Sequence, residues 1–367
     1  MATDLTVAKS QDCSRGQVLL SSIENLHPVY FAMVMATGIV AVASHLMEMD
    51  RIALMLTVLN IAMYICLWVM TLARIVLYPR RFLLDLIDHG RGVGFFTTVA
   101  GTCVLGTQFV VIVKDYTTAT ILWYIGMGLW AALTYTVFAA FTVKEKKPTL
   151  AEGINGGWLV VVVATQAVSN LAGLLLPCFP EYEEPVIFLA LSFWLCGGML
   201  YIWIISLIFY RYTFFSFAPS DLNPPYWINM GAMAISTLAG TRLIINAPHS
   251  HFLQELLPFL HGFTIFFWAT ATWWIPMLVI LSVWRHVYKR FKFSYDPLYW
   301  GAVFPLGMYT ACTFQLAQVT HLPFLFAIPR LFIYVALAAW ILIAAAFVRE
   351  LILSLYSAGQ RQPVCAT

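Results

Sequence analysis

The chain of 367 residues is 61% hydrophobic and only 10% charged, with mean hydropathy +0.83 and a net charge of +3. Soluble domains carry about a quarter charged residues, so a soluble fold is excluded, and the balance is too neutral for nucleic-acid binding. The seven cysteines are scattered without CxxC spacing and the eight histidines without HExxH spacing. The sequence therefore calls for no metal, cofactor or disulfide framework.

From the N-terminus, Asp4, Lys9, Gln11 and Asp12 make the opening too polar for a secretory signal. Residues 16–26 fit a short interfacial helix. Ten apolar blocks follow, at 28–47, 52–77, 91–113, 117–142, 156–176, 185–210, 226–247, 257–284, 298–320 and 325–348. Each is long enough for a crossing of about 20 residues. Between the second and third, residues 79–91 set Phe82, Leu83, Leu84, Leu86 and Ile87 against charge, as an interfacial helix does. Pro276 interrupts the eighth block, where a packing kink is expected. The last eleven residues, SAGQRQPVCAT, read as disordered. The expected organisation is a cytoplasmic or interfacial segment at 1–27, a transmembrane domain at 28–350 and a cytoplasmic tail at 351–367. Alternating the loops puts sixteen of the twenty Lys and Arg on one side, leaving Arg51, Lys114, Arg242 and Arg330 on the other. That bias predicts cytoplasmic termini in a multi-pass protein of the plasma (inner) membrane.

The odd-numbered blocks begin near 28, 91, 156, 226 and 298, at steps of 63, 65, 70 and 72 residues. The steps describe five tandem helical hairpins, a repeat of architecture rather than of sequence. Odd blocks hold twelve glycines and even blocks five. The odd interiors also carry hydroxyls and amides. Close packing explains part of the glycine count; hairpins closed into a ring explain the asymmetry, with the odd helices inside. The fold class expected is an all-α membrane protein of ten helices around a central pore. Its expected lining or kink positions are Thr37, Gly38, Gly101, Thr102, Gln166, Ser169, Ser236, Gly240, Gly301, Pro305 and Met308.

The central thirds of the odd blocks have no Asp, Glu, Lys, Arg or His. Inner helices that all start on one side point their positive dipole ends at one mouth, and kinks at Gly38, Gly101 and Pro305 would expose further half-helix ends. This favours anions. Arg91 and Arg242 stand near opposite ends of the third and seventh blocks, placed to attract anions; a snorkelling interfacial arginine fits both positions as well.

The ninth block carries Pro305 mid-span between Gly301 and Gly307. Proline removes the hydrogen bond to the carbonyl of Gly301 and crowds it, at about 3 kcal/mol in a helix interior. At helical spacing Gly301, Phe304, Met308, Ala311, Gln315 and Gln318 share a face. Two readings fit: a wall of a pathway plugged by Phe304, or a kinked packing helix with a buried phenylalanine.

Four stretches, HPVYFAMVMATGI at 27–39, EGINGGWLVVVVATQAVS at 152–169, YWINMGAMAIS at 226–236 and YWGAVFPLGMYTACT at 299–313, resemble the tellurite-resistance/dicarboxylate transporter family. That family includes bacterial TehA, fungal malate and sulfite carriers, and plant slow-type anion channels. The resemblance implies five hairpins around a pore, protomers associating as homotrimers, and small anions as substrates. It also implies a pore-occluding aromatic on the ninth helix, at the position of Phe304. The expected function is an anion channel or facilitator. The alternative is a proton-coupled carrier of dicarboxylate, sulfite or tellurite-related anions, with His45 and His261 as proton relays. An enzyme is not expected, since no polar groups converge on a reaction centre.

Overall fold

The structure is a computed structural model that describes residues 15–360, with side chains described over 20–353. The first 14 residues and the end of the expected tail, 361–367, lie outside the described residues. Among the described residues every regular element is helical. The helix α1 (Arg15–Glu24) covers the expected interfacial segment, and α2 (Phe31–Leu46) follows a 3-10 turn, Pro28–Tyr30. Then come α3 (Asp50–Leu77), α4 (Pro79–Leu86), α5 (Phe96–Gln108), α6 (Tyr116–Val143), the single turn α7 (Leu150–Gly153), α8 (Val160–Leu174) and α9 (Glu183–Phe214). The chain ends with α10 (Ile228–Asn246), the short α11 (His251–Glu255), α12 (Leu257–Val283), α13 (Trp300–Thr320) and α14 (Ala327–Gln360). The helix α14 therefore runs well past 351, where the tail was expected to begin.

Nine helices, taken with their flanking turns, are long and apolar enough to cross a membrane among the described residues. The helix α13 is not one of them, against the expectation from its sequence. Its length suffices, but Pro305, two glycines, Gln315 and Gln318 dilute its apolar character; fifteen of its 21 residues are buried against protein, where polar side chains find partners that lipid cannot offer.

The helices α2, α5, α8, α10 and α13 each pack along the next, and α13 returns to α2, closing a ring. Against each of these lies the next long helix in the chain: α3 on α2, α6 on α5, α9 on α8, α12 on α10 and α14 on α13. Burial separates the two layers. The four membrane-length inner spans are buried over 78–89% of their central windows, the outer five over only 17–50%. Outer faces carry exposed apolar side chains such as Leu54 and Val58 on α3 and Ile341 and Leu342 on α14, the surface lipid requires.

Lipid supplies no hydrophobic drive between helices, so close packing and interhelical hydrogen bonds hold the layers. Each outer helix bonds to the inner helix of the following hairpin. Tyr64 of α3 shares a hydrogen bond with the Thr102 hydroxyl at 3.0 Å. Trp130 of α6 donates to Thr165 at 2.8 Å, and Trp194 of α9 to the carbonyl of Ser236 at 2.8 Å. Trp268 of α12 donates to Thr313 at 3.0 Å, and Trp340 of α14 closes the circle on Thr37 at 2.9 Å. The five latches repeat with the architecture. Each seats an aromatic polar tip, which lipid would leave unpaired, on an inner hydroxyl or carbonyl.

Candidate functional site

Every inner helix starts with a 3-10 turn: Pro28–Tyr30, Gly92–Phe95, Gly156–Leu159, Pro224–Trp227 and Pro297–Tyr299. These turns touch one another in ring order, the last against the first. The residues ahead of them are His27, Arg91, Asn155, Asn223 and Asp296. Proline or glycine opens each turn, and at three of the five the preceding side chain caps it. His27 Nδ1 accepts from the amide of Val29 at 3.1 Å, Asn155 from Gly157 at 2.8 Å, and Asp296 from Leu298 at 2.8 Å. Asp88 accepts from the amides of Gly90 and Arg91, both at 2.9 Å. The ring closes because Gly156 has no side chain: a Cβ there would sit 2.5 Å from the carbonyl oxygen of Pro225.

Inside the ring lies a cavity of about 180 Å³ to which all five inner helices contribute. Its polar wall comes from His27, Thr97, Asn155 and Asn223, and its deepest positions are Met35 and Phe304. Each is seven residues past the start of its turn, or about 10 Å at 1.5 Å per residue. Phe304 is fully buried and ends the cavity on the side of α13. Among the described residues no carboxylate lines the cavity. Five helix starts converge on one space, and their aligned dipoles favour negative charge there even though side chains cap the first amides of three of them.

Among the described residues His27 is the one titratable group in this wall. Burial, followed by the nearby Arg91, lowers its pKa from 6.5 to about 4. At neutral pH it is uncharged, and because Nδ1 accepts from Val29 the proton sits on Nε2, a hydrogen-bond donor.

Of the positions expected to line the pore, Gly301 and Phe304 line this cavity. Four of the five hydroxyls and amides bond to outer helices. Thr37 and Thr102 are bound into the latches. Gln166 donates to the carbonyl of Trp194 at 2.9 Å and Ser169 to that of Ala190 at 2.7 Å, both on α9. Ser236 bonds back to Ala232. A Cβ at Gly240 would collide with Thr264 and Trp194 of outer helices. Gly38 lies against Val104 and Asn60, and Gly101 against Phe31 and Val34. The inner hydroxyl stripe is thus the glue between layers. Met308 is buried beyond Phe304.

The expected breaks are also absent. The helices run unbroken through Gly38, Gly101 and Pro305. Pro305 fits because Gly231 leaves it room: a Cβ there would lie 2.7 Å from the proline ring. The free helix starts are therefore those at the 3-10 turns.

The arginines differ in kind. Arg91 Nε lies 3.0 Å from Asp85, which also binds Arg74 at 2.6 Å, so its charge is largely answered. Arg242, toward the far end of α10, has a buried Nε without a hydrogen-bond partner and no ion pair among the described residues. It packs beside Gly173. On α10, Ile228, Ala232, Ile235, Ala239 and Arg242 follow one face at helical spacing, and that face begins at the cavity-lining Ile228. His45 pairs with Asp50 at 2.7 Å in an exposed turn, and His261 sits on the outer helix α12. Neither lines the cavity.

Sequence reading missed His27, Asn155 and Asn223 as wall residues. Their signal was local: His-Pro, Asn-Gly and Asn-Pro pairs, each a helix-start pattern at the head of an odd helix.

The family described as "Voltage-dependent anion channel" matches residues 25–348. An uncharacterized transporter of Methanocaldococcus jannaschii is 27% identical over 301 residues, covering 80% of this chain and 85% of the relative. An uncharacterized membrane protein of Mycobacterium tuberculosis is 36% identical over 163 residues, 44% of this chain and 81% of the relative. A sulfite efflux pump of Trichophyton rubrum is 22% identical over 342 residues, 88% of this chain and 90% of the relative.

Proposed function

The chain belongs to the voltage-dependent anion channel family, and from that premise we propose that it conducts small anions along the axis of its inner ring, with Phe304 as the plug. It is a multi-pass integral membrane protein; its family is described as an anion channel, and its relatives include an uncharacterized transporter and a sulfite efflux pump. The observation that carries the reading is the axial cavity: five helix starts converge on a wall without carboxylates, and a buried aromatic ring stands at its inner end. An anion entering there meets the positive ends of five helix dipoles and the side-chain donors of the wall. Arg242 then offers a positive charge on the far side of the plug.

The ring supports ten spans in five hairpins. The sixteen-to-four charge bias favours cytoplasmic termini in the plasma membrane, with the cavity at the cytoplasmic mouth. Homotrimers follow from the family resemblance alone. Flux into liposomes across chloride, nitrate, sulfite, malate and tellurite tests the function: passage of none of these anions, in protein that is correctly inserted, would sink the proposal.

A second reading is proton-coupled export, supported by the likeness to fungal sulfite efflux pumps. His27 is the titratable group in the cavity wall, and it stays neutral down to about pH 4, which leaves a relay little to work with near neutrality. Reversal potentials separate the two. A shift with the pH gradient favours the carrier, and a shift with the anion gradient alone favours the channel.

A further inference from the structure

Arg285 stands in the π-helical turn Trp284–Tyr288 that ends α12. It is only 8% exposed, its Nε has no hydrogen-bond partner, and it makes no ion pair among the described residues. One face of its guanidinium lies over the Phe291 ring, 4.4 Å from the centroid, which leaves the edge donors of the fork unused. A buried charge without a counter-charge is costly, and binding an anion would offset that cost.

Arg285 opens on a cleft of about 50 Å³, walled also by Asn223, Ser282, His286 and Tyr299, with no acidic residue among the described residues. At roughly 10–15 Å³ per water-sized atom, that space takes about four, the size of a tetrahedral oxyanion. The side-chain oxygen of Asn223 is likewise unpaired, and the amide turned over would offer its NH2 instead. Arginine's planar fork suits phosphate. Lys289, Arg290 and Lys292, all exposed, follow on the same segment.

A second feature adjoins the cleft. About 100° around α12 from Leu278, Ser282 and Arg285, the residues Trp274, Met277, Leu281 and Trp284 join Phe209 and Phe217 in an apolar groove of about 440 Å³. It lies between α9 and α12, on the poorly buried outer layer. A phosphate at the cleft with a hydrocarbon chain in the groove is the outline of a lipid.

We propose that the cleft at Arg285 and the adjoining groove between α9 and α12 bind an anionic phospholipid, its phosphate on Arg285. Basic pockets between membrane helices bind acidic headgroups in this way. The far wall of the cleft is the start of α13, at Tyr299 and Ala302, so the lipid braces the helix that carries Phe304. Binding itself does not depend on Phe304 acting as a plug.

The test uses full-length protein in nanodiscs of phosphatidylcholine, with or without phosphatidylglycerol, released for native mass spectrometry. Wild type is expected to retain phosphatidylglycerol in preference to phosphatidylcholine. Arg285→Gln should reduce retention about tenfold or more, as expected for losing a charge-assisted pair, and Arg285→Lys should keep most of it. Ser282→Leu fills the cleft without touching the charge and should also lower retention, which covers the case in which Arg285→Gln does not fold. Equal retention by wild type and Arg285→Gln, or no preference for the acidic lipid in wild type, overturns the site. An inorganic-phosphate shift in melting temperature that Arg285→Gln abolishes, without phosphatidylglycerol retention, overturns the lipid as the occupant.

Discussion

Replacing Phe304 by alanine tests the axial pathway directly. The ring is fully buried, so an anion passes only if the ring leaves its contacts. Withdrawing a phenylalanine from a buried place costs about 1.5–3 kcal/mol. At a factor of ten per ~1.4 kcal/mol, the closed ring holds flux down by about ten- to a hundredfold. Phe304→Ala should recover that factor, and Phe304→Leu should fall between the two. The stability loss belongs near the lower end of the ~3–5 kcal/mol seen for Phe→Ala in closed cores, because the site already borders a cavity. Anion efflux from liposomes and single-protein conductance in planar bilayers read the gain, with melting temperature and elution profile as controls. Wild-type conductance in a well-folded Phe304→Ala protein would remove the ring from the pathway.

Other outcomes follow from the same geometry. Arg242→Gln should slow anion entry from the far end of α10 a few-fold at low ionic strength. The difference should fade toward ~1 M salt, where screening shortens to about 3 Å; a salt-independent effect would make Arg242 a packing residue. The lowered pKa of His27 means that between pH 6.5 and about 4 the unfolded chain takes a proton that the native chain refuses. Stability therefore falls with pH through that window, by about 2 kcal/mol at pH 5. His27→Asn keeps an acceptor for Val29 and should flatten that part of the melting-temperature profile. Thr37→Val removes the acceptor of Trp340 and should cost about 1 kcal/mol. Adding Trp340→Phe should cost little more if the two form one unit, as a double-mutant cycle by thermal melting would read.

The sequence by itself determined the helices and their division into two layers. Apolar length and loop charge are local quantities, and an inner helix must be rich in small residues wherever its neighbours lie. Helix limits such as 156–176 and 226–247 therefore fall close to Val160–Leu174 and Ile228–Asn246 with their flanking turns. Rotation of each inner helix about its own axis is another matter, and only the tertiary structure decided it. Thr37, Thr102, Gln166 and Ser169 looked like pore lining, yet each satisfies its hydrogen bond on an outer helix, Thr37 on a tryptophan 303 positions away. With water absent from the bilayer core, a hydroxyl bonds to whichever protein group its helix packing presents. The cavity is left with glycine, aliphatic side chains, Met35 and Phe304 toward its inner end, and its polar groups His27, Thr97, Asn155 and Asn223 sit at or beside the turns where the helices begin.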